Sequence, residues 1–269
     1  MRFLRYPGGK SKLLSFLITV IVERNQIGRY IEPFVGGGSV FLHLQPKGAI
    51  LADINRELIE LYKGIRNYPH KVWEIFESFP SGKEAYYRIR NDEYYNKPLF
   101  YRAARSLYLN RTCFKGMWRH SPEGVFSVGY GGEQRRWVIT HKDLIELSKR
   151  FRKALILHED FEPVLDQCRD GDFIFLDPPY KPGEKELFEA HYAYGRFSYE
   201  DQIRLSNKLK ELSERKKVKW LLTNSSNSEI CRLYHDFNIM QIPKGTSSIL
   251  GVHTIDSKEV VISNYRAGG

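Results

Sequence analysis

Residues 173–180 have the sequence Phe-Ile-Phe-Leu-Asp-Pro-Pro-Tyr, a short apolar run that ends in an acid, two prolines and a tyrosine. Apolar runs of similar length recur along the chain and indicate further buried strands, at residues 30–31, 49–54, 154–158, 218–223, 239–242 and 260–263. Helical patterns lie between many of these runs, at residues 11–23, 56–66, 141–152, 199–214 and 226–234. Strands that alternate with helices predict an α/β fold with a mostly parallel sheet.

The composition narrows the class of protein. Apolar residues make up 42% of the 269 residues, which is enough for a hydrophobic core in a globular protein. The apolar stretch at residues 13–22 is too short to span a bilayer, so we expect no membrane attachment and a cytoplasmic location. The three cysteines are far apart and form no pattern typical of a disulfide scaffold or a zinc site, so we also expect no metal.

Positive charge is concentrated in the middle of the chain. The protein has 42 basic and 32 acidic residues, and its net charge is +10. Residues 56–152 contain 19 basic and 11 acidic residues, which accounts for +8 of that surplus. Residues 94–122 contain no acid, six cations and seven aromatic residues. Because cations bind phosphates and aromatic rings stack on bases, this section predicts a nucleic-acid-binding region.

A glycine-rich segment follows the first predicted strand. Residues 32–41 have the sequence Glu-Pro-Phe-Val-Gly-Gly-Gly-Ser-Val-Phe and lead from that strand into a helix. Glycines at this place allow the backbone to approach a bound ligand closely. Phe41 stands where the third glycine of a dinucleotide-binding fingerprint belongs, so the pattern differs from that fingerprint. Asp53 ends the next strand, where a carboxylate can accept hydrogen bonds from both hydroxyls of a ribose.

The segment Asp177-Pro178-Pro179-Tyr180, called the tetrapeptide below, carries the most specific chemical signal. It follows a buried strand directly, and α/β sheets bind their ligands at the carboxyl ends of strands. Asp177 can accept a hydrogen bond from the exocyclic amine of a base, and Tyr180 offers a ring on which a base can stack. The prolines have no N–H, so nearby carbonyls face the site as acceptors. Acceptors that hold the N–H groups of such an amine favour its pyramidalisation and direct its lone pair at an electrophile.

Five segments together resemble one known family, the S-adenosylmethionine-dependent DNA adenine N6-methyltransferases of the Dam type. They are residues 5–10, 32–41, 51–55, 107–131 and 177–180, and they occur in the order found in that family. The resemblance implies a class I methyltransferase fold, which is Rossmann-like with a mostly parallel sheet and a helical DNA-recognition insertion. It implies a catalytic core at residues 1–55 and 153–269 and a target-recognition domain at residues 56–152.

The same resemblance implies methyl transfer from S-adenosylmethionine to N6 of adenine within a short specific sequence of double-stranded DNA. The target base must leave the helix stack, because N6 is paired inside the duplex. GATC is one candidate for the sequence. Dam enzymes that recognise GATC generally carry an asparagine and a small residue where this chain has Lys115 and Trp118, so related sites stay open.

The family's site residues are carried over only where this sequence matches. The implied catalytic residues are Asp177, Pro178, Pro179 and Tyr180. The implied cofactor-binding residues are Tyr6, Lys10, Pro33, Phe34, Gly36, Gly38, Asp53, Ile54, Asp160, Phe161 and Asp177. The candidate DNA-binding residues are Arg5, Arg111, Phe114, Lys115, Arg119, Arg135 and Arg136.

Within the DNA-binding set we assign different roles. Arg5 and Arg119 are candidates for contacts to guanine edges, since a guanidinium can bond O6 and N7 of guanine together. Phe114 is a candidate to enter the stack left by the flipped adenine, although a core position is an equal alternative for a phenylalanine. Arg135 and Arg136, adjacent cations in a glycine-rich loop, are expected to bind phosphates.

Other functions stay open at this point. An RNA adenine N6-methyltransferase can use the same tetrapeptide, although the large insertion before it favours DNA. A DNA-binding module without catalysis is an alternative from a different class, and the intact tetrapeptide argues against it. Asp177 in place of serine argues against a cytosine N4-methyltransferase. We expect a monomer in solution, with a cognate restriction nuclease as a candidate partner.

Overall fold

The computed structural model describes residues 3–6, 9–121, 124–180, 197–243 and 259–266. Its strands β1–β7 are, in chain order, Tyr30–Glu32, Ala49–Asp53, Ala154–His158, Phe173–Leu176, Lys219–Ser225, Asn238–Gln241 and Glu259–Ser263. Its α-helices α1–α10 are Leu14–Val20, Ser39–Leu44, Arg56–Asn67, Pro69–Ser78, Lys83–Arg90, Leu99–Thr112, His141–Phe151, Phe161–Asp166, Tyr199–Arg215 and Ser228–Leu233. None of the helices in this described part of the chain is long and apolar enough to cross a membrane.

The described residues divide into two compact units. The first unit contains residues 3–6, 9, 53–121 and 124–158, and the second contains residues 10–52, 159–180, 197–243 and 259–266. The first unit therefore includes the N-terminal residues and strand β3 as well as the section predicted to bind DNA. The functional division into a core at 1–55 and 153–269 and a recognition domain at 56–152 stays a prediction.

The second unit is built on a sheet whose strands follow the order β2-β1-β4-β5-β7-β6. Strand β1 pairs in parallel with β2 and β4, and β4 pairs in parallel with β5. Strand β7 runs antiparallel between β5 and β6. The strands that follow β1 and β4 in the chain are added on opposite sides of this central pair. The junction between β1 and β4 is therefore a topological switch point, where the carboxyl ends of the two central strands lie side by side. The prediction of an α/β fold with a mostly parallel sheet is confirmed, and the arrangement is that of a class I methyltransferase.

Local capping decides where several helices begin and end. The side chain of Ser198 accepts a hydrogen bond from the backbone N–H of Asp201, so α9 begins at Tyr199 as the sequence predicts. Asn227 caps α10 in a similar way, and this helix begins at residue 228 instead of 226. The first helix is shorter than predicted, since Ile21 adopts an extended conformation that ends α1 at Val20.

The first unit is a group of helices in which α3 and α6 approach closely. A Cβ atom placed on Gly64 of α3 would lie 2.3 Å from the Cβ of Ala103 on α6, so only glycine fits there. Leu61, Tyr62 and Leu107 are fully buried in this unit. Because the backbones of α3 and α6 approach so closely, the section at residues 56–152 forms a packed core although it is rich in cations and aromatic residues.

Four polar side chains form a buried network in the same unit. The carboxylate of Glu57 on α3 receives the Arg105 guanidinium at 3.4 Å, His120 Nε2 at 2.8 Å and the hydroxyl of Tyr94. Glu57 is 4% exposed and Arg105 is fully buried. Burial alone would raise the pKa of Glu57, but the hydrogen bond and charge of His120 and the charge of Arg105 hold this pKa below its usual value. The network joins α3, α6 and the loop that contains residues 113–121.

We predict that Glu57→Gln lowers the free energy of unfolding by about 3–5 kcal/mol, because Arg105 is then left buried without a counter-charge. The depressed pKa means that the stabilising contribution of Glu57 is present above the ordinary glutamate pKa and is lost as the pH falls through the lower folded value. Urea denaturation at several pH values measures both effects. Glu77→Gln, on the exposed side of α4, is the control and is expected to stay within about 0.5 kcal/mol of wild type. Equal stabilities for Glu57→Gln and wild type at neutral pH would contradict the prediction.

Candidate active site and nucleic-acid interface

The loop after β1 has the geometry of a ligand-binding turn. Gly36 and Gly38 have φ angles of 43° and 63°, in the left-handed region that glycine adopts at low cost. The backbone N–H of Val35 donates to the carbonyl of Ala52 at 2.9 Å and so fixes the loop to the end of β2. Pro33 is buried and Phe34 is half-buried. The predicted glycine loop therefore lies at the carboxyl end of β1, next to the end of β4.

Asp177, the first residue after β4, is held by two side chains of the second unit. Lys10 Nζ lies 2.8 Å from Asp177 Oδ1, and the hydroxyl of Thr223 on β5 donates to the same oxygen at 2.7 Å. Lys10 is 7% exposed and Asp177 is 19% exposed, so the ion pair is well shielded from water. The sequence predicted that Lys10 and Asp177 share one site, and the structure pairs them directly. The sequence analysis did not single out Thr223, although a polar residue near the end of an adjacent parallel strand is a usable signal of a site residue.

Tyr180 is oriented from two directions. The Lys10 ammonium lies 4.7 Å from the centroid of the Tyr180 ring, and the Tyr180 hydroxyl lies 3.5 Å from Glu259 Oε2. Burial raises the pKa of Glu259, with Lys10 opposing the shift and the charge of Asp177 adding to it. Glu259 begins the antiparallel strand β7, and nothing in the local sequence marks it as part of a site. Lys10 thus contacts both the acid and the aromatic ring of the tetrapeptide.

Three aromatic rings form a cluster beside the glycine loop within the second unit. Phe34 lies 5.5 Å from Phe161 and 5.6 Å from Phe197 between ring centroids. Arg204 on α9 pairs with Asp160, and its guanidinium lies 4.4 Å from the centroid of Phe161. Asp160 also caps α8 by accepting from the N–H of Glu162 at 3.0 Å. Two residues expected at the cofactor, Asp160 and Phe161, are therefore held in place by Arg204, which the sequence analysis missed.

Asp53 and Ile54 belong to the first unit. Asp53 closes β2, and its Oδ1 accepts from the backbone N–H of Asn55 at 2.9 Å. Ile54 is 51% exposed, and its carbonyl lies 3.0 Å from Nε2 of His158. An exposed isoleucine next to a fixed carboxylate suits the predicted contacts with a nucleoside, and those contacts stay a prediction.

Most of the candidate DNA-binding residues lie exposed on the first unit. Phe114 is 51% exposed, so the alternative that it is a core aromatic residue is wrong. Lys115, Arg119 and Arg135 are also exposed. The turn at residues 114–116 is tight, since Lys115 has a φ angle of 54° and Gly116 one of 64°.

Arg5 joins this same surface. Its backbone N–H donates to the side chain of Asn110 at 3.2 Å, and its carbonyl accepts from the same amide at 2.8 Å. A Cβ atom on Gly116 would lie 2.5 Å from Cδ of Arg5, so the Arg5 side chain lies directly against the turn. Tyr6, expected beside the cofactor or target pocket, contacts the buried Trp118 with ring centroids 6.1 Å apart. The two candidate guanine-reading residues, Arg5 and Arg119, therefore belong to one compact unit.

Two of the predicted DNA contacts are wrong. Arg136 is 1% exposed and donates hydrogen bonds to the carbonyl of Phe76 at 3.1 Å and to that of Phe79. Arg111 is 4% exposed and donates to the carbonyl of Phe3. A guanidinium has five N–H donors and can satisfy loop carbonyls inside a protein, and these two side chains do so instead of facing solvent. Both are structural residues of the first unit.

Comparison with known proteins agrees with this geometry. Residues 6–247 match the D12 class N6 adenine-specific DNA methyltransferase family. The Type II methyltransferase M1.LlaDCHI of Lactococcus lactis subsp. cremoris is 33% identical, over 98% of this chain and 95% of its own length. The Type II methyltransferase M.MjaIII of Methanocaldococcus jannaschii is 34% identical, over 98% of both chains. The DNA adenine methylase of Escherichia coli K12 is 30% identical, over 79% of this chain and 77% of its own. The chain therefore belongs to the D12 class of N6 adenine-specific DNA methyltransferases.

Proposed function

We propose that this enzyme transfers the methyl group of S-adenosylmethionine to N6 of an adenine that is flipped out of a short specific site in double-stranded DNA, with Asp177 as the acceptor that activates the amine. The observation that carries the proposal is the fixation of Asp177. Both polar contacts of this carboxylate within the described residues, from Lys10 and Thr223, use Oδ1. Oδ2 can therefore accept an N–H of the target amine without the carboxylate having to move.

This arrangement suits the chemistry of an adenine amine. The lone pair on N6 is delocalised into the ring, so the amine is a poor nucleophile until its N–H groups are held out of the ring plane. Asp177 Oδ2 and a proline carbonyl of the tetrapeptide provide two such acceptors, because Pro178 and Pro179 have no competing N–H. Preorganised acceptors of this kind stabilise the charge that develops on nitrogen during the transfer. Tyr180 provides the ring on which the extruded adenine stacks.

The residues of the glycine loop fit S-adenosylmethionine. This cofactor carries its methyl group on a sulfonium, and when the methyl group is transferred the rest of the cofactor leaves as a neutral thioether. The left-handed conformations of Gly36 and Gly38 allow the backbone at Pro33–Gly38 to approach the methionine part closely. Asp53 binds the ribose hydroxyls, and Ile54 packs on the adenine ring of the cofactor. Asp160 and Phe161, held by Arg204, are the residues of the second unit that we assign to the same adenine ring. Lys10 lines the region between cofactor and target, and Tyr6 lies beside the cofactor or the target.

The exposed residues of the first unit suit a duplex with one base displaced. Extrusion of the target leaves a gap in the stack, and the exposed ring of Phe114 fills it. Arg5 and Arg119 contact guanine edges in the major groove, and Lys115 and Arg135 contact the phosphate backbone. Two guanine contacts around one adenine suit GATC or a related site. Since the relatives M1.LlaDCHI and M.MjaIII are named Type II methyltransferases, a cognate restriction nuclease is the partner we propose.

We predict that Asp177→Ala lowers the rate of methyl transfer about 100-fold or more, because a preorganised acceptor is lost. DNA binding should change little. Transfer of labelled methyl groups into duplex DNA and into RNA of the same sequence measures both the rate and the choice of polymer. Asp236→Ala, at an exposed carboxylate of the second unit, is the control and should keep the wild-type rate. Near-normal turnover by Asp177→Ala would contradict the catalytic role of Asp177. Faster methylation of RNA than of DNA by the wild-type enzyme would favour an RNA adenine N6-methyltransferase.

Base-reading and phosphate-binding arginines should respond differently to substitution. Arg119→Ala is expected to cost about 1–3 kcal/mol at the cognate site and to relax one base position. Arg135→Ala should weaken binding to every sequence alike and reduce the salt dependence by about one unit of slope. Fluorescence anisotropy with cognate and scrambled duplexes at several salt concentrations separates the two effects. Equal losses on both duplexes for Arg119→Ala would show that Arg119 contacts phosphate.

A further inference from the structure

Two buried amides connect the tetrapeptide to the neighbouring strand. Gln202 on α9 is 1% exposed, and its Nε2 donates to the carbonyl of Pro179 at 2.9 Å. Asn224 on β5 is fully buried, and its Nδ2 donates to Gln202 Oε1 at 3.1 Å. Asn224 Oδ1 in turn accepts from the backbone N–H of Ser225 at 2.8 Å. The three hydrogen bonds form one chain from the end of β5 to the tetrapeptide.

The backbone groups at its two ends fix the direction of every hydrogen bond in this chain. The Pro179 carbonyl can only accept, so Gln202 must turn its NH₂ group towards it. The Ser225 N–H can only donate, so Asn224 must turn its oxygen there and its NH₂ group towards Gln202. Neither amide can flip without placing two donors or two acceptors face to face in a buried site, which is costly. The chain therefore has a single arrangement.

The hydrogen bond from Gln202 to the Pro179 carbonyl is important because the tetrapeptide contains two prolines. Pro178 and Pro179 have no N–H, so their carbonyls are the only backbone groups through which other parts of the protein can hold them by hydrogen bonds. The Pro179 carbonyl belongs to the peptide plane that leads into Tyr180, and Gln202 fixes that plane. Lys10 and Thr223 hold the side chain of Asp177, and Gln202 holds the backbone at the other end of the same segment.

The helix that carries Gln202 is itself well anchored. Ser198 and Asp201 form a capping box at the start of α9, and the N–H of Gln202 donates to the Ser198 carbonyl at 3.2 Å. Gln202 thus lies in the first turn of a helix of 17 residues, whose end cannot fray easily. Because α9 holds Gln202 in a fixed position, Gln202 in turn holds the Pro179 carbonyl that it contacts.

We infer that Gln202, oriented by Asn224, is a positioning residue of the methyl-transfer step: it sets the peptide plane between Pro179 and Tyr180, so that Tyr180 and the tetrapeptide carbonyls meet the flipped adenine in reactive geometry. This inference rests on the proposed function of the tetrapeptide. Gln202 is expected to act on kcat and to leave cofactor and DNA binding unchanged, since it touches the tetrapeptide on the side of the protein core.

The variant Gln202→Glu tests this directly because it keeps the shape and removes the donor. In its ionised form the introduced carboxylate still accepts from Asn224 but repels the Pro179 carbonyl, and kcat should fall about 10- to 100-fold at neutral pH. In its protonated form the introduced carboxyl group can donate to Pro179 again, so the ratio of variant to wild-type kcat should rise as the pH is lowered from about 8 to about 6. The KM values for S-adenosylmethionine and for the duplex should match wild type.

Gln167→Glu is a matched control. The amide of Gln167 also donates to a proline carbonyl, that of Pro163 at 3.1 Å, but it is exposed and belongs to the end of α8. The kcat of this control variant should equal that of wild type at every pH. Gln202→Met, which can neither donate nor accept, should lose activity to the same extent at all pH values.

A wild-type kcat in Gln202→Glu would overturn the inference, as would a loss that varies with pH no more than that of Gln202→Met. Where Gln202→Glu fails to fold by circular dichroism, Gln202→Met decides: a changed KM with unchanged kcat overturns the inference, and a lower kcat with unchanged KM supports it. Wild-type enzyme that fails to methylate adenine in DNA would overturn the proposed function itself. An active wild type with an equally active Gln202→Glu would overturn the positioning role alone.

Discussion

The ion pair between Lys10 and Asp177 is the interaction on which the arrangement of the site depends. A buried ammonium and a partly buried carboxylate are each costly to remove from water, and the two are stable here because they lie 2.8 Å apart. Lys10 also faces the ring of Tyr180, so one cation orients both ends of the tetrapeptide. Together with Thr223, Lys10 holds the carboxylate in one position, which is what the proposed role as a preorganised acceptor requires.

The sheet provides the support for this pair. Strands β1, β4 and β5 run in parallel; the glycine loop and the tetrapeptide follow the carboxyl ends of β1 and β4, and Thr223 lies in the carboxyl-terminal half of β5. The antiparallel strand β7 brings Glu259 to the hydroxyl of Tyr180 from the far side of β5. Polar groups from separate parts of the chain therefore reach one point because parallel strands end at the same edge of a sheet. Pro178 and Pro179 have no N–H, so hydrogen bonds from other parts of the protein can hold their backbone only through the carbonyls.

The first unit uses the same residue types for two purposes. Arg105, Arg111 and Arg136 are buried and bind carbonyls or the Glu57 carboxylate inside the unit. Lys115 and Arg119 are exposed on the segment that follows α6. The section without acidic residues is thus partly core and partly surface. Its composition indicates an affinity for polyanions, but a count of charges does not separate the cations that stabilise the unit from those that face a ligand.

The sequence by itself determined the α/β class, the strands at residues 154–158 and 173–176, the start of α9 and the tetrapeptide, because these depend on local periodicity, on capping residues and on motif spacing. The tertiary structure alone decided that Arg111 and Arg136 are buried, that Phe114 is exposed, and that Thr223, Gln202, Arg204 and Glu259 contact the predicted site residues. These contacts join residues far apart in the chain. A hydrogen bond or ion pair between distant residues leaves no periodic pattern in the sequence around either partner, so only the packing of helices on the sheet reveals it.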